Sequence, residues 1–375
     1  MVRRIHNPNP ITDRRRSARR STWMSMAVLL SGALIVLTSC HANSPTKIGT
    51  FTPQVVNGST TYSPTDIATE AKAVGVRYAR VQQQVGNPLS PEIAALRAKG
   101  ITAHLVVKSP DFGRLPSDLD AYRRNLAALL DKQPTPLMAV QNEETVDKFW
   151  LDTPDNYLRL LDAATEVAHS RHIPATNGGI DRLPIALATW NHLRLTQGTA
   201  RADRFLEVVF DNRLAIRGPL TGIAPSDPDP YRRVSDATAA RWKEGEYLLA
   251  HYGTDAGDVP VDYVNFHWYV TDDTPEGFRS TGTYTDIDAL RDVVSSVKEI
   301  TGKPAVTNEI GQYGRTPEAV TGFLNLFRNE LQIPWVFWFD ADGIPAQGLH
   351  ENDQPGNLRP NGLRFARLLA GWEHR

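Results

Sequence analysis

Two short segments bring carboxylates and amides together in a pattern that can do chemistry. One reads Met138-Ala139-Val140-Gln141-Asn142-Glu143-Glu144. The other reads Pro304-Ala305-Val306-Thr307-Asn308-Glu309-Ile310-Gly311. Each is a brief apolar run that ends in an Asn-Glu pair. A third run ends Asn265-Phe266-His267-Trp268-Tyr269, and a fourth reads Pro334-Trp335-Val336-Phe337-Trp338-Phe339-Asp340. Two carboxylates that face each other across a cavity with aromatic rings beside them suit cleavage of a glycosidic bond. One carboxyl protonates the departing oxygen, and the other attacks or supports the cation-like sugar carbon. The rings offer flat apolar faces to the C–H surface of a sugar.

These residues act together only if a scaffold gathers them. Eight short apolar runs alternate with amphipathic helical patterns: Lys47–Thr52, Val76–Gln82, Ile101–Lys108, Leu137–Gln141, Ala175–Gly178, Tyr263–Trp268, Ala305–Asn308 and Trp335–Phe339. Several lack polar alternation, which marks strands covered on both faces in a parallel sheet. Ser63-Pro64, Ser90-Pro91, Thr153-Pro154 and Thr316-Pro317 each set a hydroxyl cap before a proline that tolerates the first helical position. Gly75, Gly100 and Gly302 fall where helices should stop. Ile287, Leu290, Val293, Val294, Val297 and Ile300 share one helical face. Eight such units predict an α/β fold, a TIM (β/α)8 barrel over residues 47–375, with chemistry at the carboxyl ends of its strands. The long stretch from Arg182 to Val261 is read as the fifth helix plus a helical and loop insertion between strands five and six. Trp190, Trp242 and Tyr231 are read as packing it. The runner-up is an open doubly wound sheet, but no glycine-rich phosphate loop follows the first strand.

Placed at strand ends in this order, the residues resemble the clan A retaining glycoside hydrolases. Those are TIM barrels with an Asn-Glu pair after strand four and a glutamate after strand seven. The resemblance implies that Glu143 is the acid/base, that Asn142 holds the sugar's 2-hydroxyl, and that Glu309 is the nucleophile. His267-Trp268-Tyr269 is similar to the clan's His-x-Tyr at strand six, which lines the site and orients the nucleophile. Arg80 is similar to the second-strand arginine that supports that glutamate, and Trp338 to the eighth-strand tryptophan that floors the sugar site. Glu144 stands where the clan often has proline, which leaves two carboxylates at this strand end. A like charge beside the acid would raise its proton affinity. The implied partner is a carbohydrate, with no cofactor. The alternative is a carbohydrate-binding surface lipoprotein on a degenerate barrel without turnover; a barrel with no sugar site is a third reading.

Other chemistries find little support. No His-x-His pair lies on the first strand, and no histidines flank a glutamate at helical spacing, so a metal site is not expected. A Gly-x-Ser-x-Gly elbow is also missing from the sequence. One cysteine excludes an intramolecular disulfide framework.

The amino-terminal segment reads separately. Residues 1–39 hold seven arginines against Asp13, then an apolar run from Met26 to Leu37, in the manner of an export signal. The run ends Leu37-Thr38-Ser39-Cys40, which resembles the bacterial lipobox and implies cleavage before Cys40 and a lipid on its sulfur. Residues 40–46 would then tether a domain outside the cytoplasm to a membrane. Without the leader, a formal net charge of -1 becomes -7. That balance repels phosphate backbones, so nucleic acid is not an expected partner. No oligomer signal stands out, and a monomer is expected.

Overall fold

The computed structural model describes residues 46–373 apart from 54, 57–59, 254, 256, 271–279, 282–283, 313–315, 341–347 and 352–353. The leader, Cys40 and the tether as far as residue 45 lie outside the described residues.

Eight parallel strands form the central sheet: β1 (Lys47–Phe51), β2 (Tyr78–Gln84), β3 (Thr102–Lys108), β4 (Met138–Val140), β5 (Ala175–Asn177), β6 (Val264–Val270), β7 (Ala305–Gln312) and β8 (Trp335–Phe339). Hydrogen-bonded neighbours run β5-β4-β3-β2-β1-β8-β7-β6. Bridges from Thr176 to Tyr263 and from Ile180 to Phe266 bring β5 to β6 and close the ring. The Asn177 side chain reinforces this seam. It accepts from the Asn265 amide at 2.6 Å and donates to the Asn265 carbonyl at 2.8 Å. The chain is a TIM barrel, and all eight expected strands are present. β6 and β7 run past their apolar cores to Val270 and Gln312.

The helices are α1 (Pro64–Ala73), α2 (Pro91–Ala98), α3 (Leu119–Lys132), α4 (Pro154–His169), α5 (Arg182–Thr196), α6 (Thr199–Val209), α7 (Leu214–Leu220), α8 (Asp236–Ala250), α9 (Asp286–Thr301), α10 (Pro317–Asn325) and α11 (Pro360–Glu373). Ser63, Ser90, Thr153 and Thr316 each accept a backbone N–H of the first turn, with proline at its start. Such a cap contributes about 1 kcal/mol. Along α9, Leu290, Val293 and Val297 are buried, and Ile287, Val294 and Ile300 pack beside them. The insertion between β5 and β6 consists of α6 to α8 with an irregular proline-rich stretch at 224–229. Trp190 and Trp242 meet at 5.2 Å between ring centroids, and Tyr231 sits 4.3 Å from Trp242. All three pack the insertion.

Strand alternation sorts the core into two layers. Val264, Phe266 and Trp268 of β6 join the large cluster between sheet and helices. A smaller cluster of Leu137, Val306, Trp335 and Phe337 plugs the barrel interior. Gly49 of β1 makes room for that plug, since a Cβ there would sit 2.5 Å from the Phe337 ring.

Candidate active site

Above the plug the interior turns polar. On β6 the period of two that buries Phe266 and Trp268 outward turns Asn265, His267 and Tyr269 inward. β7 breaks the rule once. Val306 pairs with Asn265 and Glu309 with His267, so three steps on β7 match two on β6. This bulge adds one residue. Asn308 and Glu309 can then both face the barrel interior.

Glu309 is buried and multiply held. Its carboxylate accepts from the Arg80 guanidinium and the Tyr269 hydroxyl, and His267 Nδ1 lies 3.8 Å away. Burial alone would push its pKa up. The charges of His267 and Arg80, with the Tyr269 and Arg80 hydrogen bonds, outweigh that and hold it below the usual carboxylate range. The carboxylate is therefore ionised at neutral pH. Arg80 also donates to the Asn308 carbonyl at 3.1 Å and to Asn142 Oδ1, and its guanidinium lies over the Phe51 ring at 4.2 Å.

Glu143 arrives from the other side. β4 stops at Val140, and the chain turns through left-handed backbone at Gln141 (φ 69°) and Glu143 (φ 44°). Side chains other than glycine adopt this conformation at a cost of about 1–3 kcal/mol, and such strain clusters at functional sites. Glu143 Oε1 comes within 3.0 Å of His267 Nδ1. An oxygen of Glu143, a ring nitrogen of His267 and an oxygen of Glu309 lie within 4.8 Å of one another.

The structure thus gathers Glu143, Glu309, Asn142, His267, Tyr269 and Arg80 from β2, β6, β7 and the turn after β4. It does not gather Trp338. That side chain faces outward, 6.4 Å from Phe323 of α10 and 6.0 Å from Phe365 of α11 by ring centroids. The expectation of a tryptophan floor is corrected by alternation: Trp335, Phe337 and Phe339 share the inner face of β8, so Trp338 takes the outer one. The aromatic ring of β8 nearest the site is Phe339, 6.0 Å from Tyr269.

Glu144 is also absent from the cluster. It is buried in the barrel wall, where Oε1 accepts from Asn177 Nδ2 at 2.6 Å and from Tyr252 at 3.0 Å. Burial raises its pKa to about 7 despite those bonds. Two further residues had no role of their own assigned from the sequence. Asn308 joins His267 to His104, and Gly179 admits the His267 ring, since a Cβ there would lie 2.2 Å from Nε2. The Gly178-Gly179 pair just past β5 was the only signal for the latter.

Glu143, His267 and Glu309 are close enough to ligate one cation. The fit is poor, because the Arg80 guanidinium already occupies Glu309 and adds positive charge where a cation would sit. A second convergence joins Glu70, Asp340 and His350, all buried. There His350 Nδ1 lies 2.7 Å from Asp340 and Nε2 lies 3.1 Å from the Glu70 carbonyl, so both ring nitrogens are engaged.

No protein-family model matches the sequence, and no curated protein matches it either. Among solved structures the chain is similar to a GH128 (subgroup II) endo-beta-1,3-glucanase from Sorangium cellulosum. Identity is 14%, with 85% of this chain and 97% of that one covered, at a TM-score of 0.47. It is similar to a GH128 (subgroup I) endo-beta-1,3-glucanase from Amycolatopsis mediterranei in complex with laminaritriose, at 11% identity, covering 86% and 99%, with a TM-score of 0.44. It is also similar to a GH5-4 broad specificity endoglucanase from Clostridium longisporum, at 13% identity, covering 88% and 96%, with a TM-score of 0.47.

Proposed function

We propose that this protein is a retaining glycoside hydrolase that cleaves an oligo- or polysaccharide by double displacement. What supports the reading is that one carboxylate oxygen of Glu143 and one of Glu309 come within 4.8 Å of each other across one site, with no gap between them wide enough to seat a water and a sugar carbon. Retaining enzymes hold their carboxyl groups about 5–5.5 Å apart, and inverting ones about 6.5–9.5 Å apart to admit a water. The surroundings of the pair divide the labour. Glu309, ionised and held by Arg80 and Tyr269, attacks the anomeric carbon. Glu143 protonates the departing oxygen, then takes a proton from the water that releases the sugar. Asn142 Oδ1 is bound to Arg80, which leaves Nδ2 to donate to a sugar hydroxyl.

The test is a panel of fluorogenic glycosides with Glu309→Gln as control, followed by a 2-deoxy-2-fluoro glycoside of the best sugar. Added mass on the peptide that holds Glu309 is expected. Label on another residue sinks the nucleophile assignment, and binding without turnover favours a carbohydrate-binding lipoprotein. The Leu37–Cys40 motif supports lipid anchoring outside the cytoplasm. Incorporation of labelled palmitate that is lost in Cys40→Ser is the expected result.

A further inference from the structure

Two histidines and one asparagine form a buried chain of polar contacts inside this barrel. His104 of β3 is fully buried and stacks on Phe337 at 4.6 Å. Its Nδ1 lies 2.8 Å from the Leu137 carbonyl oxygen. A carbonyl only accepts, so Nδ1 carries the hydrogen. Burial and the Arg80 charge push the His104 pKa down to about 3. The ring is therefore neutral, and Nε2 keeps a bare lone pair.

That lone pair orients the next group. Asn308 Nδ2 lies 3.4 Å from His104 Nε2 and donates to it. The amide is thereby set with Oδ1 toward His267 Nε2, at 2.8 Å. An amide oxygen only accepts, so His267 Nε2 carries a hydrogen. The other nitrogen, Nδ1, faces Glu143 Oε1 at 3.0 Å. A hydrogen bond there needs one proton between the two atoms, as imidazolium beside carboxylate or as carboxylic acid beside imidazole.

We propose that His104 is a positioning residue: through the Asn308 amide it fixes the Nε2–H form of His267, so that the His267–Glu143 pair stores the proton given to the leaving group. This rests on the glycosidase reading for its role in turnover. In the first step the pair loses one proton to the glycosidic oxygen. That oxygen's bond to the anomeric carbon breaks as a Glu309 oxygen bonds the same carbon. In the second step water loses a proton to the pair as its oxygen displaces Glu309. Between the steps a bare nitrogen faces a carboxylate, which strengthens the demand for that returning proton. The other ionisable groups around the pair are Arg80 from β2, Glu144 beside β4, Tyr269 from β6 and Glu309 from β7. Burial would lower the His267 pKa, but Glu309 and Glu143 outweigh it and raise it.

Without the His104 acceptor the Asn308 amide can turn over and present Nδ2 to His267. The Nδ1–H form then prevails, beside a carboxylate, with one proton fewer. His104→Leu should therefore move the falling limb of the kcat/KM pH profile down by about one unit. It should slow aryl glycosides with poor leaving groups far more than dinitrophenyl glycosides, which need no acid. His104→Gln restores an acceptor and a donor and should keep the profile of the natural protein. An unmoved limb in His104→Leu overturns the proposal. Nitrogen NMR of the full chain, with the His267 signals assigned by His267→Gln, reads the proton directly. Protonated Nε2 is expected, and a bare Nε2 overturns the proposal whether or not His104→Leu folds. Should no glycoside be turned over, the glycosidase reading falls, while the NMR result still decides the proton's place.

Discussion

Glu143 and Glu144 are consecutive, yet their carboxyls part at the turn after β4. Glu143 meets His267 at 3.0 Å in the site, whereas Glu144 accepts from Asn177 at 2.6 Å inside the barrel wall. The left-handed backbone at Glu143 makes this parting possible. Two neighbouring acids thereby receive different surroundings. Glu143→Gln is expected to lower turnover of glycosides with poor leaving groups by about 10²- to 10⁴-fold, the usual worth of a general acid. Dinitrophenyl substrates should be spared in the first step. Glu144→Gln should leave the dependence on leaving group unchanged. Steady-state kinetics over an aryl glycoside series checks both, and a steepened dependence in Glu144→Gln alone would exchange the two roles.

Glu144 should instead shape stability against pH. Its folded pKa of about 7 lies above the ordinary 4.5. Between those values the folded chain holds a proton that the unfolded chain has lost, so stability falls as pH rises. The loss is complete above pH 7 and reaches up to about 3 kcal/mol. Glu246, also raised to about 7, acts in the same direction. Urea unfolding between pH 5 and 8 should show the decline in the natural chain and a shallower one in Glu144→Gln. An equal slope in both would locate the effect elsewhere.

Arg80 joins Glu309, Asn142 and Asn308 with one planar cation. Its removal leaves the Glu309 charge buried beside fewer donors. Breaking a buried pair in this way costs about 3–5 kcal/mol. Arg80→Lys keeps the charge but cannot reach Glu309 and Asn142 with a flat fork. We expect Arg80→Ala to lose stability in denaturant titration. Arg80→Lys should stay folded but turn over far more slowly. Full activity in Arg80→Lys would mean that charge alone suffices.

Trp338 and Gly179 make a contrasting pair. Trp338→Ala should cost about 3–5 kcal/mol as a cavity opens against α10 and α11. Its KM should hold, since the ring faces away from the site. A large rise in KM with intact stability would return Trp338 to the sugar. Gly179→Ala should do the reverse where it matters. The new Cβ meets the His267 ring, and φ of 120° disfavours any side chain. Its turnover should collapse while circular dichroism still reports a folded barrel.

The barrel was legible because its signals are local. Hydroxyl caps before prolines, apolar runs and glycines at helix ends each depend on a few neighbouring residues. Asn142, Glu143 and Glu309, picked out as family-like pairs at strand ends, do lie together in the candidate site. The site was illegible at Trp338, because the aromatic neighbours Phe337 and Phe339 gave no sign of which face turned inward. Asn308 was hidden for another reason: the bulge that turns it inward beside Glu309 breaks the period of two from which facing is read. His104 carries no signal of a role in its own sequence neighbourhood, and only its contacts to Leu137 and Asn308 give it a direction.

By itself the sequence determined the eight strands, their order, the helices between them and the residue types gathered at the carboxyl ends. These follow from periodicity and capping, which act within a few residues. Tertiary structure alone decided that Glu143 and not Glu144 meets His267, that Trp338 faces outward, and that Asn308 lies between His104 and His267. Those outcomes depend on distances between atoms of different strands, set by a left-handed turn, a bulge and a closed ring of neighbours.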